Sequence, residues 1–114
     1  MMNSLIEKIS AQNGTPVEKT MKLLQSYRDL QRGKEIVGDD RILLDIINQC
    51  FDVVKDDYYY LILEQNFKTG LSIHTIANNL GIDERKVWRQ RKRLIRRISV
   101  IIFGDKAINE IIKK

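Results

Sequence analysis

The chain has 114 residues, a formal net charge of +5, 43% apolar and 31% charged residues, and a single Cys. This length and composition exclude intrinsic disorder, an internal disulfide, and two independent domains joined by a linker. The longest uncharged run near the C-terminus, residues 98–104, is far shorter than the roughly 20 residues that cross a membrane, and no secretory signal opens the chain, so we expect a cytoplasmic protein.

The N-terminal part, residues 1–56, is predicted to be a helical segment for packing or oligomerisation. After a first short helix that ends near Gly14, residues 15–18 read Thr-Pro-Val-Glu, a capping box with Pro at the first helical position. A second helix therefore runs from there to about Arg32. Its apolar residues recur every three or four positions, which predicts a buried face made of Val17, Met21, Leu24, Tyr27 and Leu30.

Two further helices are predicted before residue 70, each starting at a pair of aspartates. Asp residues at 39–40 and 56–57 stand where a helix cap is needed, and capping explains them better than metal binding does. Cys50 lies on an apolar stripe and is expected in the core, and at least one tyrosine of 58–60 should face inward. The two stripes are Ile42, Leu43, Ile46, Ile47, Cys50, Phe51 and Val54, and then Tyr59, Ile62, Leu63 and Phe67.

The sequence after Gly70 predicts two helices joined by a very short turn. Ser72 can cap a helix of about two turns that ends at Gly81, and Asp83 caps the next helix. Two helices joined in this way are typical of a helix-turn-helix. We therefore expect an all-α protein, a helical bundle whose residues 57–114 form a helix-turn-helix DNA-binding domain with a long basic recognition helix.

The positive charge is concentrated in the second of these helices. Residues 83–97 hold eight basic and two acidic residues, a local charge of +6, so that the rest of the chain sums to −1. At about 100° per residue, apolar residues from Val87 to Ile102 fall in one arc of about 120° and seven cations in an opposing arc of about 140°. This pattern predicts one face on the core and one in the major groove of double-stranded DNA. Arg91 falls in the apolar arc, where we expect a structural role paired with an acid such as Glu64.

Position along this helix assigns roles to the candidate DNA contacts. Because base edges are read by the first turns of a recognition helix, base reading is predicted for Glu84, Arg85, Trp88 and Arg89. Phosphate contacts are predicted for Lys86, Lys92, Arg93, Arg96 and Arg97, and at the start of the preceding helix for Ser72, His74 and Thr75. Trp88 borders the apolar arc, so packing against the core is an equal alternative for it.

The same region resembles two families of DNA-binding proteins. Similarity to the region-four helix-turn-helix of bacterial sigma factors is carried by Tyr58-Tyr59-Tyr60, Ile76-Ala77, Leu80-Gly81-Ile82, Val87 and Leu94. The fuller run resembles the ArpU and RinA type of phage-encoded late-gene regulators, through Val87-Trp88-Arg89, residues 91–95, Phe103-Gly104-Asp105 and the upstream pairs Leu23-Leu24 and Tyr27-Arg28. The resemblance covers residues 15–108, most strongly 57–105. It implies an activator of phage packaging, morphogenesis or lysis genes in the cytoplasm of a bacterial host.

Two other functions fit the same pattern. A small terminase-like protein also recognises DNA for packaging through a helix-turn-helix, and a sigma-like adaptor would bind RNA polymerase or another regulator. The apolar stretch 98–103 and a short helix at 105–112 would expose more apolar surface than a small monomer covers, which favours a homodimer. Because a lone His74 has no second ligand at metal spacing and no catalytic or cofactor-binding motif occurs, we expect no enzyme, no metal and no cofactor.

Overall fold

The structure, a computed structural model, describes residues 14–32 and 39–112, so the first short helix predicted before Gly14 lies outside the described residues. Over these ranges the protein is all-helical and contains no strand, which confirms the prediction of an all-α protein. No helix among them is long and apolar enough to cross a membrane. The helices are α1 (Pro16–Gln25), α2 (Tyr27–Arg32), α3 (Asp39–Val53), α4 (Tyr60–Leu63) with a π-helical turn (Glu64–Lys68), α5 (Ile73–Leu80), α6 (Glu84–Phe103) and α7 (Asp105–Ile112).

The start of α1 follows its sequence signal, but its predicted end does not. The Thr15 hydroxyl accepts a hydrogen bond from the Glu18 N–H at 3.2 Å, as the capping box requires. The single helix expected to reach Arg32 is interrupted at Ser26. Both the N–H and the hydroxyl of Ser26 donate to the Lys22 carbonyl, at 3.2 and 2.9 Å. The N–H bond to Lys22 is the regular helical one, but the N–H is shared with the Leu23 carbonyl, also at 3.2 Å, and the hydroxyl takes part of the Lys22 carbonyl. This weakens the regular pairing, and α2 begins separately at Tyr27.

The aspartates at 56–57 do not cap α4, contrary to the prediction. Helix α4 begins at Tyr60, and its cap position, Tyr59, makes no side-chain cap bond. Asp57 instead accepts from the Tyr59 N–H at 2.9 Å in the turn before the helix, and its carboxylate also pairs with arginines of α6. For the other aspartate pair, α3 begins at Asp39, and its cap position lies outside the described residues.

One apolar core joins the two parts of the chain that meet at residue 56. Phe51 is fully buried in it and lies edge to face with Tyr27, with 5.6 Å between the ring centroids. Cys50 is buried as predicted, and this burial raises the pKa of its thiol to about 11. The buried members of the core are Leu23, Leu24, Ile46, Ile47, Cys50, Phe51, Val54, Leu63, Phe67, Leu94, Ile95 and Ile98.

A second, smaller cluster fills the angle between α5 and α6, where Ile62, Ile76, Ala77 and Val87 are buried together. The helix ends around this angle follow their predicted signals. Ser72 accepts from the Thr75 N–H at 3.2 Å, Gly81 ends α5 in the left-handed region at φ +66°, and Asp83 accepts from the Arg85 N–H at 2.7 Å. Sequence-local bonding and apolar packing together thus set where α6 begins.

Helix α7 packs against α1. Helix α7 spans the predicted range, and its Ala107 is buried. The Val17 N–H, in the first turn of α1, donates to Glu110 Oε1 of α7 at 3.0 Å. A carboxylate at this place satisfies an unpaired helical amide and lies at the favourable end of the helix dipole.

Candidate nucleic-acid interface

Helix α6 has an apolar face in the core and a cationic face in solvent. Val87, Leu94, Ile95 and Ile98 are fully buried. The predicted contact residues of the helix lie on the other side: Glu84, Arg85, Trp88, Arg89, Lys92, Arg93 and Arg97 are exposed, and Lys86 and Arg96 are half-buried. Because the two faces of one 20-residue helix are so different, the helix can bind the core and an anionic partner at the same time.

The first turns of α5 and α6 meet at a histidine–carboxylate contact. His74 Nδ1 lies 3.1 Å from Glu84 Oε2, and Asn78 Nδ2 lies 3.3 Å from His74 Nε2. Since the Asn78 amide donates to Nε2, we infer that Nδ1 carries the proton and donates to Glu84. Two residues predicted to contact different parts of DNA therefore bond to each other. Within the described ranges, no group of three metal-ligating side chains surrounds this histidine or occurs elsewhere.

Ser72 and Thr75, the other candidates on α5, already bond to each other. The Ser72 hydroxyl accepts from the Thr75 N–H and lies 3.0 Å from Thr75 Oγ1. Ser72 is exposed and Thr75 is half-buried. These groups stabilise the start of α5, and their phosphate contacts stay a prediction.

Arg93 is held by a carboxylate of the same chain. Its guanidinium donates to both oxygens of Asp57, at 2.7 and 3.0 Å, and Arg97 Nη1 lies 3.7 Å from Asp57 Oδ2. The hydrogen bond from Arg93 holds the pKa of Asp57 below its ordinary value, and the Tyr59 N–H acts in the same direction. A bidentate pair fixes the guanidinium. The predicted phosphate contact of Arg93 is therefore left to the guanidinium N–H groups that do not face Asp57, and the carboxylate already offsets part of the charge of Arg93.

Replacing Asp57 with Asn is expected to lower the melting temperature at neutral pH, because the amide cannot form the bidentate pair. The difference should shrink on acidification. A carboxyl whose pKa is lowered on folding stabilises the fold above its unfolded value near 3.9, and this contribution is lost as the pH falls through the lower folded value. Thermal melts of both proteins from pH 7 to pH 2 measure it. Asp56→Asn, next in sequence and exposed, is the control, and an equal effect from it would contradict the assignment.

Arg91 is half-buried, as expected for a structural residue, but its predicted pairing with Glu64 is wrong. Arg91 Nε donates to Asn66 Oδ1 at 2.9 Å, and its guanidinium carbon lies 4.8 Å from the ring centroid of Phe67 and 5.4 Å from that of Trp88. Burial lowers the pKa of Arg91, while the amide oxygen and the two ring faces stabilise its charge. The π-helical turn departs from regular α-helical spacing, so a different residue of this segment reaches α6.

Asn66 links α6 to the segment that leads into α5. Its oxygen accepts from Arg91, and its Nδ2 donates to the Leu71 carbonyl at 3.0 Å, directly before the cap residue Ser72. No local sequence signal marks Asn66, since its role depends on which residue the π-helical turn presents. These two hydrogen bonds, from Arg91 to Asn66 and from Asn66 to Leu71, help to hold α5 and α6 in their relative orientation.

Trp88 contacts Arg91 on one side of its ring and is open on the other, so base reading and packing both stay predictions for it. The Arg91 guanidinium lies over its ring, yet 53% of the residue is exposed. It also lines an open groove of about 600 Å³ together with Val17 and Met21 of α1. The spacing in α6 could not predict this groove, because it depends on where α1 lies.

Comparison of the chain with models of protein families, with curated proteins and with solved structures found no match. The similarity to sigma region four and to the ArpU and RinA type of regulators therefore rests on the residues quoted above. The functional conclusion below is drawn from the geometry of α5 and α6 and from the distribution of charge around them.

Proposed function

We propose that this protein is a sequence-specific regulator of transcription that binds double-stranded DNA, with α5 and α6 acting as a helix-turn-helix. The observation that carries the proposal is the two-faced α6, which is anchored by buried Val87, Leu94 and Ile98 and presents arginines and lysines on its open face. Following the family resemblance, we propose an activator of phage late genes in the bacterial cytoplasm.

The dimensions of the cationic face suit the major groove. The residues from Arg85 to Arg97 extend about 18 Å along α6 at 1.5 Å per residue, and a groove about 12 Å wide admits one helix. Arg85 and Arg89 are exposed in the first turns, where a guanidinium can pair bidentately with guanine. Lys92 and Arg96 follow on the same helix and are suited to phosphates. In this proposal the start of α6 reads sequence and its middle supplies affinity.

Replacing Arg89 with Ala is expected to cost about 1–3 kcal/mol of binding free energy and to relax the preference at one base position. The matched control, Arg96→Ala, removes the same side chain farther along α6 and should weaken binding to all sequences alike. Selection of bound duplexes from a random library, followed by affinity measurements on single-position variants, tests both. An Arg89→Ala protein that loses affinity equally on every sequence would contradict direct readout.

A homodimer is part of the proposal, supported by exposed isoleucines near the C-terminus. Ile101 of α6 is 52% exposed, and Ile108 and Ile112 of α7 are 38% and 74% exposed. A two-fold dimer would read two half-sites about one helical turn apart. A mass measurement in solution separates this dimer from the ring expected of a small terminase-like packaging protein. Footprinting on DNA next to the protein's own gene would identify the site.

A further inference from the structure

The groove between α1 and α6 has an apolar floor and a cationic rim. Val17 and Met21 of α1 and Trp88 and Ile95 of α6 form the floor, and the polar residues that line it are all basic residues of α6, Arg85 and Lys92 among them. Its volume is about 600 Å³, and it opens beside the turns of α6 that are proposed to read bases. Among the residues that the structure describes, no acidic side chain lines it.

This composition is that of a protein-binding surface. The backbone of duplex DNA is anionic and hydrated, so it would satisfy the rim but leave the apolar floor uncovered. Trp, Met and Arg are the residues enriched in the centres of protein interfaces, and a large aromatic residue beside a pocket is a frequent source of binding energy. Trp88 is held by the Arg91 guanidinium over its ring, which reduces the entropy lost on binding.

We propose that this groove binds an amphipathic helix of a partner protein, one whose apolar stripe is flanked by aspartates or glutamates. A third helix laid between two others can bury its apolar side chains against both. The apolar stripe would cover the floor at Met21 and Trp88, and the acidic flanks would face the basic rim. The charge of the rim distinguishes this occupant from a neutral or basic helix.

One consequence rests on the proposed function. Arg85, Trp88 and Arg89 line the groove and are also the residues proposed to read bases. A helix bound in the groove and a duplex bound to α6 would therefore exclude each other. The partner would act as a negative regulator of DNA binding, competing for the same side chains.

A synthetic helical peptide of about 15 residues tests the groove directly. It carries Leu at i, i+3, i+4 and i+7 and Glu at the flanking positions, and its control carries Lys in place of every Glu. Because Trp88 is the only Trp of the chain, its fluorescence reports occupancy. We expect a saturable blue shift with the Glu peptide and binding roughly tenfold weaker or worse with the Lys peptide. Equal binding of both peptides, no binding of either, or a Trp88 shift caused by raising the protein concentration alone would overturn the proposal.

Two variants test whether the peptide binds in the groove. Met21→Glu puts a negative charge on the floor without touching a predicted DNA contact, and Val53→Glu puts one at an exposed apolar position of α3 that does not line the groove. Met21→Glu should weaken peptide binding at least about tenfold and Val53→Glu less than about twofold. Met21→Gln provides a milder change if the first variant fails to fold by circular dichroism. Equal effects at Met21 and Val53 would overturn the assignment of the groove.

The same reagents separate failure of this inference from failure of the proposed function. Peptide binding that depends on Met21, in a protein that binds no duplex, would support the groove and reject DNA binding. Duplex binding without peptide binding would reject the groove alone. When both bind, the Glu peptide should displace a labelled duplex from the wild type but not from Met21→Glu, and simultaneous binding of both would overturn the competition.

Discussion

Affinity for a duplex oligonucleotide is expected to fall roughly 500-fold as the salt concentration rises from 50 to 200 mM, because each phosphate contact releases condensed counterions with a slope of about 0.9 per contact. The 500-fold change corresponds to about five such contacts with DNA. Among the described residues, and apart from the inward-facing Arg91, five cations of α6 have no acidic partner and can each neutralise DNA charge, against the backbone or within the groove: Arg85, Lys86, Arg89, Lys92 and Arg96. Arg93 and Arg97 contribute less because Asp57 lies against both.

Fluorescence anisotropy at several salt concentrations measures this slope, and two variants test its origin. Lys92→Ala should reduce the slope by about one, whereas Arg93→Ala should change it less, because Arg93 already pairs with a carboxylate. If both variants reduced the slope equally, Asp57 would not shield Arg93. A loss of affinity below roughly tenfold over the same salt range would argue against phosphate contacts and favour an adaptor that binds protein.

Truncating Phe51 to Ala should lower the free energy of unfolding by about 3–5 kcal/mol, the cost of removing a large aromatic side chain from a well-packed core. The ring is fully buried against Tyr27 and Phe67, and the Lys68 ammonium lies 4.7 Å from its centroid. Because a domain of this size is stabilised by only about 5–15 kcal/mol, the variant should be close to unfolding. Urea denaturation followed by circular dichroism measures the difference.

Tyr58→Ala provides the matched control for this truncation. It also removes an aromatic ring, but Tyr58 is 81% exposed and only stacks on Tyr59, with 4.9 Å between the ring centroids, so the expected change is at most about 1.5 kcal/mol. If both variants lowered the free energy of unfolding by similar amounts, Phe51 would not lie at the centre of the core. A large effect at Phe51 should also abolish the ordered surface of α6, since both belong to one cluster with Leu94 and Ile98.

The features of the fold that could be predicted from the sequence are those that depend on interactions between residues close together in the chain. Caps at Thr15, Ser72 and Asp83 need only a side-chain oxygen and an amide two or three residues later. Apolar spacing likewise identified the buried face of α6, because a helix places residues three and four apart on one side. The break at Ser26 was missed because one serine bonding back to Lys22 has no distinctive pattern around it.

The parts that were missed depend on contacts between distant segments. Asp57 and Arg93 are 36 residues apart, and the sequence around the aspartate predicts only a local cap. Arg91 was correctly placed inward, but its partner was decided by the π-helical turn, which spacing does not reveal. The groove needs α1 to lie beside α6 and could not be predicted from either helix alone.

The bond between Val17 and Glu110 bears on the order of events during synthesis. Helix α1 leaves the ribosome before α7, and its first-turn amide finds its partner only after the carboxylate 93 residues later has been added. At about 5–20 residues per second, this interval is roughly 5–20 s. The main core also combines early and late residues, because Leu94 and Ile98 pack in one cluster with Leu24 and Ile47. Nascent α1 and α3 must therefore stay unaggregated with their apolar faces uncovered until α6 and α7 have been synthesised.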